Sequence, residues 1–264
     1  MPRAKRRLGQ HFLADPSILA RIADALEANS NDTVLEIGPG PGGLTGALLQ
    51  RAGRVVAIEK DRDLIGPLRK RYPSLELIEA DALEVDWHEV VSGPFLFVGN
   101  IPYNITSPLL DKALSPPEPR RIVFLVQKEV ADRVTAVPAT PAYGALSVGV
   151  QAVATAERLF TVPAGAFQPR PKVDSAVLRL TPREEPLIAE SDRDSFRAAV
   201  VGLFGFRRKQ MLRGARELTG WEPDRVRELL KVAGVEETVR PETLTPESFI
   251  RLHRLLVDGG WPRR

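Results

Sequence analysis

Residues 33–43 read Thr-Val-Leu-Glu-Ile-Gly-Pro-Gly-Pro-Gly-Gly, and an amphipathic stretch, Gly43–Arg51, follows at once. A short apolar run, a glycine loop and a helical pattern in that order form a strand–turn–helix unit. Glycines at 38, 40 and 42 let the backbone turn tightly and approach a ligand closely. The same stretch is also compatible with a plain turn, so its neighbours decide. Outward from it, Arg54–Glu59, Leu75–Ala80, Phe95–Asn100 and Arg121–Gln127 are further Val-, Ile-, Leu- and Phe-rich runs of strand length. Helical patterns at Arg62–Tyr72, Ser107–Leu114 and Lys128–Val134 separate or follow them, and Asp15–Ala28 precedes them with Asp15 as cap and Pro16 at its first position. Strands alternating with helices imply a parallel, doubly wound α/β sheet.

Later the pattern changes. Tyr143–Ala152 reads as a helix, and Thr155–Phe160 and Ser175–Leu180 as two late strands. A terminal antiparallel pair on a parallel sheet separates a seven-stranded methyltransferase sheet from a nicotinamide-binding one. Thr181–Ala189 is rich in proline and charge and reads as a linker. Beyond it only helical patterns occur, at Asp192–Phe204, Arg207–Thr219, Asp224–Ala233 and Pro246–Val257, with Ser191 or Asp192 opening the first and Thr245 with Pro246 the last. The expected organisation is a catalytic domain over 1–183 and a small all-α C-terminal domain over 184–264.

The acids around the glycine loop narrow its ligand. Glu59 ends the next strand, 59 − 38 = 21 residues on, where a carboxylate can accept both hydroxyls of an adenosine ribose. A dinucleotide site wants G-x-G-x-x-G and a helix start open to pyrophosphate. Here the spacing is G-x-G-x-G, and Glu36 would repel phosphate but suit a cationic amino-acid group. S-adenosylmethionine carries an ammonium and no phosphate, so the electrostatics favour it. Asp81 adds an acceptor where the adenine amine of that cofactor would lie, its plainer reading being a helix cap.

Asn100-Ile-Pro-Tyr103 follows the fourth strand, at the carboxyl edge where open α/β sheets bind ligands. Exocyclic adenine amines are poor nucleophiles because the lone pair is delocalised into the ring. Acceptors on both N–H groups draw the nitrogen toward sp³, and the Asn100 side-chain oxygen with a carbonyl at Ile101 or Pro102 can supply them without ionising. Tyr103 offers a stacking face. An Asn-x-Pro turn with a surface tyrosine is the competing reading. Phe167-Gln-Pro-Arg-Pro-Lys172 precedes the last strand; Phe167 suits either the second wall of a base sandwich or a core anchor, and Arg170 and Lys172 suit phosphates.

Composition excludes more than it assigns. The 264 residues contain no cysteine, which removes disulfides, thiolate metal sites and cysteine nucleophiles. His11, His88 and His253 share no ligand spacing, so no metal is expected. With 43% hydrophobic residues and no membrane-length apolar run, a soluble cytoplasmic protein is expected, with no membrane partner. The basic start, Met1 to Leu8, lacks the apolar core of a signal peptide. The net charge of +3 says little, but it is concentrated in Arg3, Lys5, Arg6 and Arg7, and in Arg207, Arg208, Lys209, Arg213 and Arg216. Such clusters read either as solvated faces or as contacts for a polyanion.

At these motifs the chain resembles the ribosomal RNA adenine N6-dimethyltransferase family, most closely its small-subunit (16S) branch. The matching stretches are Leu8-Gly-Gln-His-Phe-Leu13, Glu36–Thr45, Glu59, Asp81, Asn100–Tyr103, Phe167–Ser175 and Phe206-Arg-Arg-Lys-Gln-Met-Leu-Arg213. The resemblance implies a Rossmann-like class I methyltransferase fold and transfer of two methyl groups to each of two adjacent adenosines in a hairpin near the 3′ end of 16S rRNA. It also implies an immature small ribosomal subunit as partner. His11, Leu13, Gly38, Glu59, Asp81 and Asn100 would contact the cofactor, Asn100, Tyr103 and Phe167 the base, and Arg207, Arg208, Lys209 and Arg213 the RNA. His11 stands where relatives often carry Asn, Ile101 where they carry Leu, and Gln210-Met211 replaces a Thr-containing segment. A large-subunit rRNA dimethylase is the rival within the enzyme class, and an RNA-binding ribosome-assembly factor without obligatory catalysis the rival outside it. A monomer is expected.

Overall fold

The computed structural model describes residues 4–5, 8–102 and 105–262. Along the first half lie β1 (Phe12–Leu13), α1 (Pro16–Asp24), β2 (Thr33–Ile37), α2 (Gly43–Leu48), β3 (Arg54–Glu59), α3 (Arg62–Arg71), β4 (Glu76–Glu79), α4 (Trp87–Val90), β5 (Leu96–Asn100), α5 (Thr106–Ala113), β6 (Arg121–Gln127) and α6 (Lys128–Val134). Then follow α7 (Ala145–Gln151), β7 (Ala154–Val162), β8 (Phe167–Gln168), β9 (Ser175–Pro182), α8 (Arg193–Gly205), α9 (Met211–Thr219), α10 (Pro223–Ala233) and α11 (Pro246–Asp258).

Seven strands form one sheet in the order β4-β3-β2-β5-β6-β9-β7. Neighbours from β4 to β6 run parallel, and β9 runs antiparallel to β6. The expected α/β class and the late antiparallel strand are both present. The chain steps outward from β2 to β4 and then returns to β5 on the other side of β2. That reversal opens a crevice at the carboxyl ends of β2 and β5, where open sheets of this kind bind ligands. Ile122–Val126 of β6 are at most 1% exposed, so both faces of the strand are buried, which explains its continuous apolar run. Upstream, the Asp15 side chain accepts from Ser17 N–H (2.8 Å) and Ile18 N–H (3.3 Å), capping α1 as expected.

The chain divides into two compact units, residues 1–131 with 156–182, and residues 132–155 with 183–264. A single cut at 183/184 therefore misses one segment. Tyr143 carries it: the ring is fully buried, its hydroxyl donates to Leu244 O (2.8 Å), and it meets Phe204 edge-on at 6.1 Å. In the same unit α7 packs on α8 and α11. The expected linker is anchored too, since Arg183 N–H and Leu187 N–H donate to Val153 O and Ala152 O (both 2.9 Å) and Ile188 is buried.

Two helix starts differ from expectation. Asp192 precedes α8 but makes no side-chain cap. The helix expected from Arg207 begins only at Met211, because Gln210 is extended and the Met211 and Leu212 N–H groups donate to Val239 O (2.7 Å) and Glu237 O (3.1 Å). Residues 207–209 form the turn between α8 and α9. Among the described residues no helix is long and apolar enough to cross a membrane, and no cluster of three or more histidines or acids could hold a metal ion.

Candidate active site

The loop after β2 is shaped by left-handed backbone that favours glycine. Gly38, Gly40 and Gly42 have φ of +65°, +57° and +85°. A Cβ on Gly40 would lie 3.2 Å from the Phe12 ring, and one on Gly42 2.6 Å from Tyr72. Turned inward, the Gly40 N–H donates to Glu59 Oε2 (3.1 Å), while the Asp61 N–H donates to Oε1 (2.8 Å). Glu59 is 5% exposed. Burial pushes its carboxyl above the usual range, and backbone N–H bonds from Asp61, Gly40 and Lys60 pull against that shift.

Of the residues singled out in the sequence, His11, Gly38, Gly40, Glu59, Asp81, Asn100, Ile101 and Pro102 line one cavity of about 180 Å³. Leu13 and Glu36 line a smaller one of about 40 Å³, and Phe12, Gly38, Gly40 and Asn100 border both. Glu36 is 1% exposed and accepts from Thr45 Oγ1 (2.7 Å). Burial raises its pKa to about 8, the Thr45 bond lowers it, and the nearby Glu59 charge raises it again. The donor set fits S-adenosylmethionine. Ile58 and Ala82 give apolar surface beside two carboxylates in the larger cavity, suited to a purine and a ribose. In the smaller one the buried acid has no basic residue beside it among the described lining residues, which suits a cation such as an amino-acid ammonium.

Asp81 lines the cavity but caps no helix, since α4 begins at Trp87 behind Asp86. Its Oδ1 accepts from Leu83 N–H (3.0 Å), which caps the turn after β4, and its Oδ2 pairs with Lys60. Burial works to raise the carboxyl pKa, but these donors outweigh it and hold the group ionised, below the usual range. Asn100 Nδ2 donates to the backbone oxygen of His11 (2.8 Å). A carbonyl only accepts, so this bond fixes the amide with Oδ1 as its acceptor end. By the same logic His11 Nδ1 donates to Pro169 O (2.7 Å). Ile101 is buried, with its N–H on Leu125 O (3.1 Å).

Tyr103 lies outside the described residues. Phe167 does not come to the cavity: it is 5% exposed, sits opposite Leu13 in the β1–β8 pair and belongs to the core beneath the sheet. Sequence reasoning missed Gln10, Phe12 and Lys60, which also line the cavity. Gln10 and Phe12 stood inside the quoted Leu8–Leu13 motif, and Lys60 beside Glu59, so proximity to a recognised residue was the available signal.

The basic clusters are partly spoken for. Lys5 pairs with Asp61 and Asp63, and Arg3, Arg6 and Arg7 lie outside the described residues. In the helical unit Arg207 bonds Glu242 (2.5 Å) and Pro141 O (3.1 Å). Lys209 and Arg213 share Glu217 at 3.6 and 3.9 Å. Arg208 is exposed.

Comparison with known proteins follows the same lines. The family described as ribosomal RNA adenine dimethylase matches residues 1–258. A protein of Acidithiobacillus ferrooxidans named ribosomal RNA small subunit methyltransferase A is 41% identical, over 98% of this chain and 97% of its own. Among solved structures, a dimethyladenosine transferase from Plasmodium falciparum superposes with a TM-score of 0.81 at 27% identity, covering 95% of this chain and 98% of that one. The 23S rRNA methyltransferase ErmE does so at 0.75 and 32%, covering 93% and 99%.

The buried acid has a measurable consequence. With a folded-state pKa near 8 against 4.5 for the free side chain, Glu36 binds more proton in the folded than in the unfolded chain between those values. Stability therefore falls as pH rises from about 4.5 to 8, by at most about 1.4 kcal/mol per pH unit. Glu36→Gln, which mimics the protonated acid, should gain stability relative to the parent as pH rises through that window. Denaturant unfolding at several pH values without added ligand checks this, and parallel profiles for the two proteins would refute it.

Proposed function

The chain belongs to the ribosomal RNA adenine dimethylase family, and from that membership we infer that it is an S-adenosylmethionine-dependent methyltransferase that converts adenosines of 16S rRNA to N6,N6-dimethyladenosine. Its closely matched relative over nearly the whole length is named for the small subunit, whereas ErmE, named for 23S rRNA, is less similar in sequence. The finer reading is that the targets are two adjacent adenosines in a hairpin near the 3′ end, presented by an immature small subunit in the cytoplasm to a monomeric enzyme. The single observation that carries the chemistry is the Asn100 amide, oriented by the His11 carbonyl at the carboxyl end of β5 and bordering both cavities.

When bound, S-adenosylmethionine supplies an electrophilic methyl group on a sulfonium. Glu59 would accept the ribose hydroxyls, Asp81 the adenine amine, and Glu36 the ammonium. The residues around the target do the rest. Asn100 Oδ1 accepts one N–H of the adenine amine, and a backbone carbonyl accepts the other. Pro102 O already receives the Ile105 N–H (3.1 Å), which favours Ile101 O as that second acceptor. Together they localise the amine lone pair and stabilise the positive charge that develops on nitrogen, without any residue ionising. Tyr103 would stack on the unstacked base. Positioning supplies the remaining rate enhancement.

Asn100→Ala should retain measurable cofactor binding and lose methylation by about 100-fold or more, the scale of deleting one preorganised polar group. Near-parental turnover would overturn the assignment. For RNA binding, Arg208 and Arg213 are the better phosphate contacts of the 207–213 block, because both are exposed and Arg213 meets Glu217 only at 3.9 Å, whereas Glu242 holds Arg207 at 2.5 Å. Neutralising both should lower the slope of log affinity against log salt by roughly 0.7–0.9 per lost phosphate contact, while Arg207→Ala should act mainly on thermal stability. An unchanged salt slope in the double variant would exclude that contact.

A further inference from the structure

Lys112 lies in the last turn of α5, a helix that starts just after Asn100–Pro102, and its side chain is half-buried. Among the described residues its ammonium makes no ion pair of the kind that Lys5 and Lys60 make, and Asp86 and Asp81 act on it only through space. Instead Nζ donates to three backbone oxygens, Ala82 O (2.9 Å), Leu83 O (3.1 Å) and Val85 O (2.5 Å), and lies 4.8 Å from the centre of the Trp87 ring. An ammonium has three donors, and all three are used on one turn of chain. That turn is the one that follows Asp81. The Asp81 carbonyl accepts from Glu84 N–H (3.0 Å) and Val85 N–H (3.1 Å), and its carboxylate accepts from Leu83 N–H. Trp87, itself buried, adds an indole N–H to Ala82 O (2.9 Å).

The carbonyls of 82, 83 and 85 thus converge on one point with their negative ends together. Without a cation there, their dipoles repel, and Leu83 O and Val85 O lose the ammonium as a donor while Ala82 O keeps the Trp87 N–H. The turn would then open, and the Leu83 N–H that aims the Asp81 carboxylate would move with it. The ammonium also favours the ionised form of Asp81 through space.

We propose that Lys112 is a positioning residue for cofactor recognition: it staples the turn behind Asp81 to the helix behind Asn100, and so sets the acceptor that reads the adenine amine of S-adenosylmethionine. This rests on the reading of Asp81 given above. A lysine that merely braces a loop would raise or lower stability and weaken all ligands alike. A lysine that aims Asp81 acts on one functional group of one ligand.

The test is binding of two probes by calorimetry: S-adenosylhomocysteine, and its analogue carrying hydrogen in place of the adenine 6-amino group. The parent protein should prefer the first by about tenfold, the scale of one hydrogen bond to a charged acceptor. Asp81→Ala should bind both equally. Lys112→Met, which keeps the stem against Trp87, should also lose the preference, and the double variant should lose nothing more. If Lys112→Met discriminates like the parent while Asp81→Ala does not, the inference about Lys112 is overturned and the reading of Asp81 stands. If the parent fails to discriminate, or Asp81→Ala still does, the reading of Asp81 falls and the inference with it. Should Lys112→Met not fold, Lys112→Arg answers the same question, because a planar fork cannot reach three convergent carbonyls as an ammonium does.

Discussion

The N–H of Gly40 reaches the carboxylate of Glu59 only because the backbone at Gly40 is left-handed, with the Phe12 ring packed where a side chain would begin. Three parts of the molecule meet in that bond. The loop after β2 is pinned to the end of β3, and Phe12 of the N-terminal segment is seated against the loop. The same segment offers the His11 carbonyl to Asn100 at the end of β5. The Glu59 carboxylate, the glycine loop and the Asn100 amide are therefore set by one compact network at the point where strand order reverses. A substitution at position 40 would disturb all three, which is a stronger constraint than flexibility alone places on a glycine.

Charge in this network is arranged by depth. Glu36 is 1% exposed and burial raises its carboxyl pKa to about 8; Glu59, at 5%, is also raised by burial but accepts backbone N–H bonds that oppose the shift; Asp81, nearer the solvent, is kept ionised by Lys60. Such a gradient suits a ligand with an ammonium at one end and a neutral purine at the other. Absence of cysteine fits the same picture, since transfer to an amine needs oriented acceptors and no covalent intermediate.

Local pattern made much of this legible. Apolar runs marked β2, β3, β5 and β6 because their strands are buried on both faces, and Asp15-Pro16 announced α1 because capping is a short-range interaction. What stayed hidden depends on contacts distant in sequence. Tyr143 looks like any helix-leading aromatic until Leu244 receives its hydroxyl, so the segment around it was assigned to the wrong unit. The basic block at 207–209 reads as helix, but Glu237 and Val239 satisfy the first N–H groups of α9 four residues later. Arg207 and Lys5 read as open cations, yet Glu242 and Asp61, at separations of 35 and 56 residues, claim them. Phe167 suits core or site by sequence; in the fold it is 5% exposed, stands opposite Leu13 and lines neither cavity.

Substrate identity is the point on which everything else converges. Small ribosomal subunits and large-subunit RNA, both lacking dimethyladenosine, can be offered together with isotopically labelled S-adenosylmethionine, and the modified nucleotides mapped by mass spectrometry. The expected result is label confined to two adjacent N6,N6-dimethyladenosines near the 3′ end of 16S rRNA. Label in 23S rRNA, or on a nucleoside other than dimethyladenosine, would contradict it.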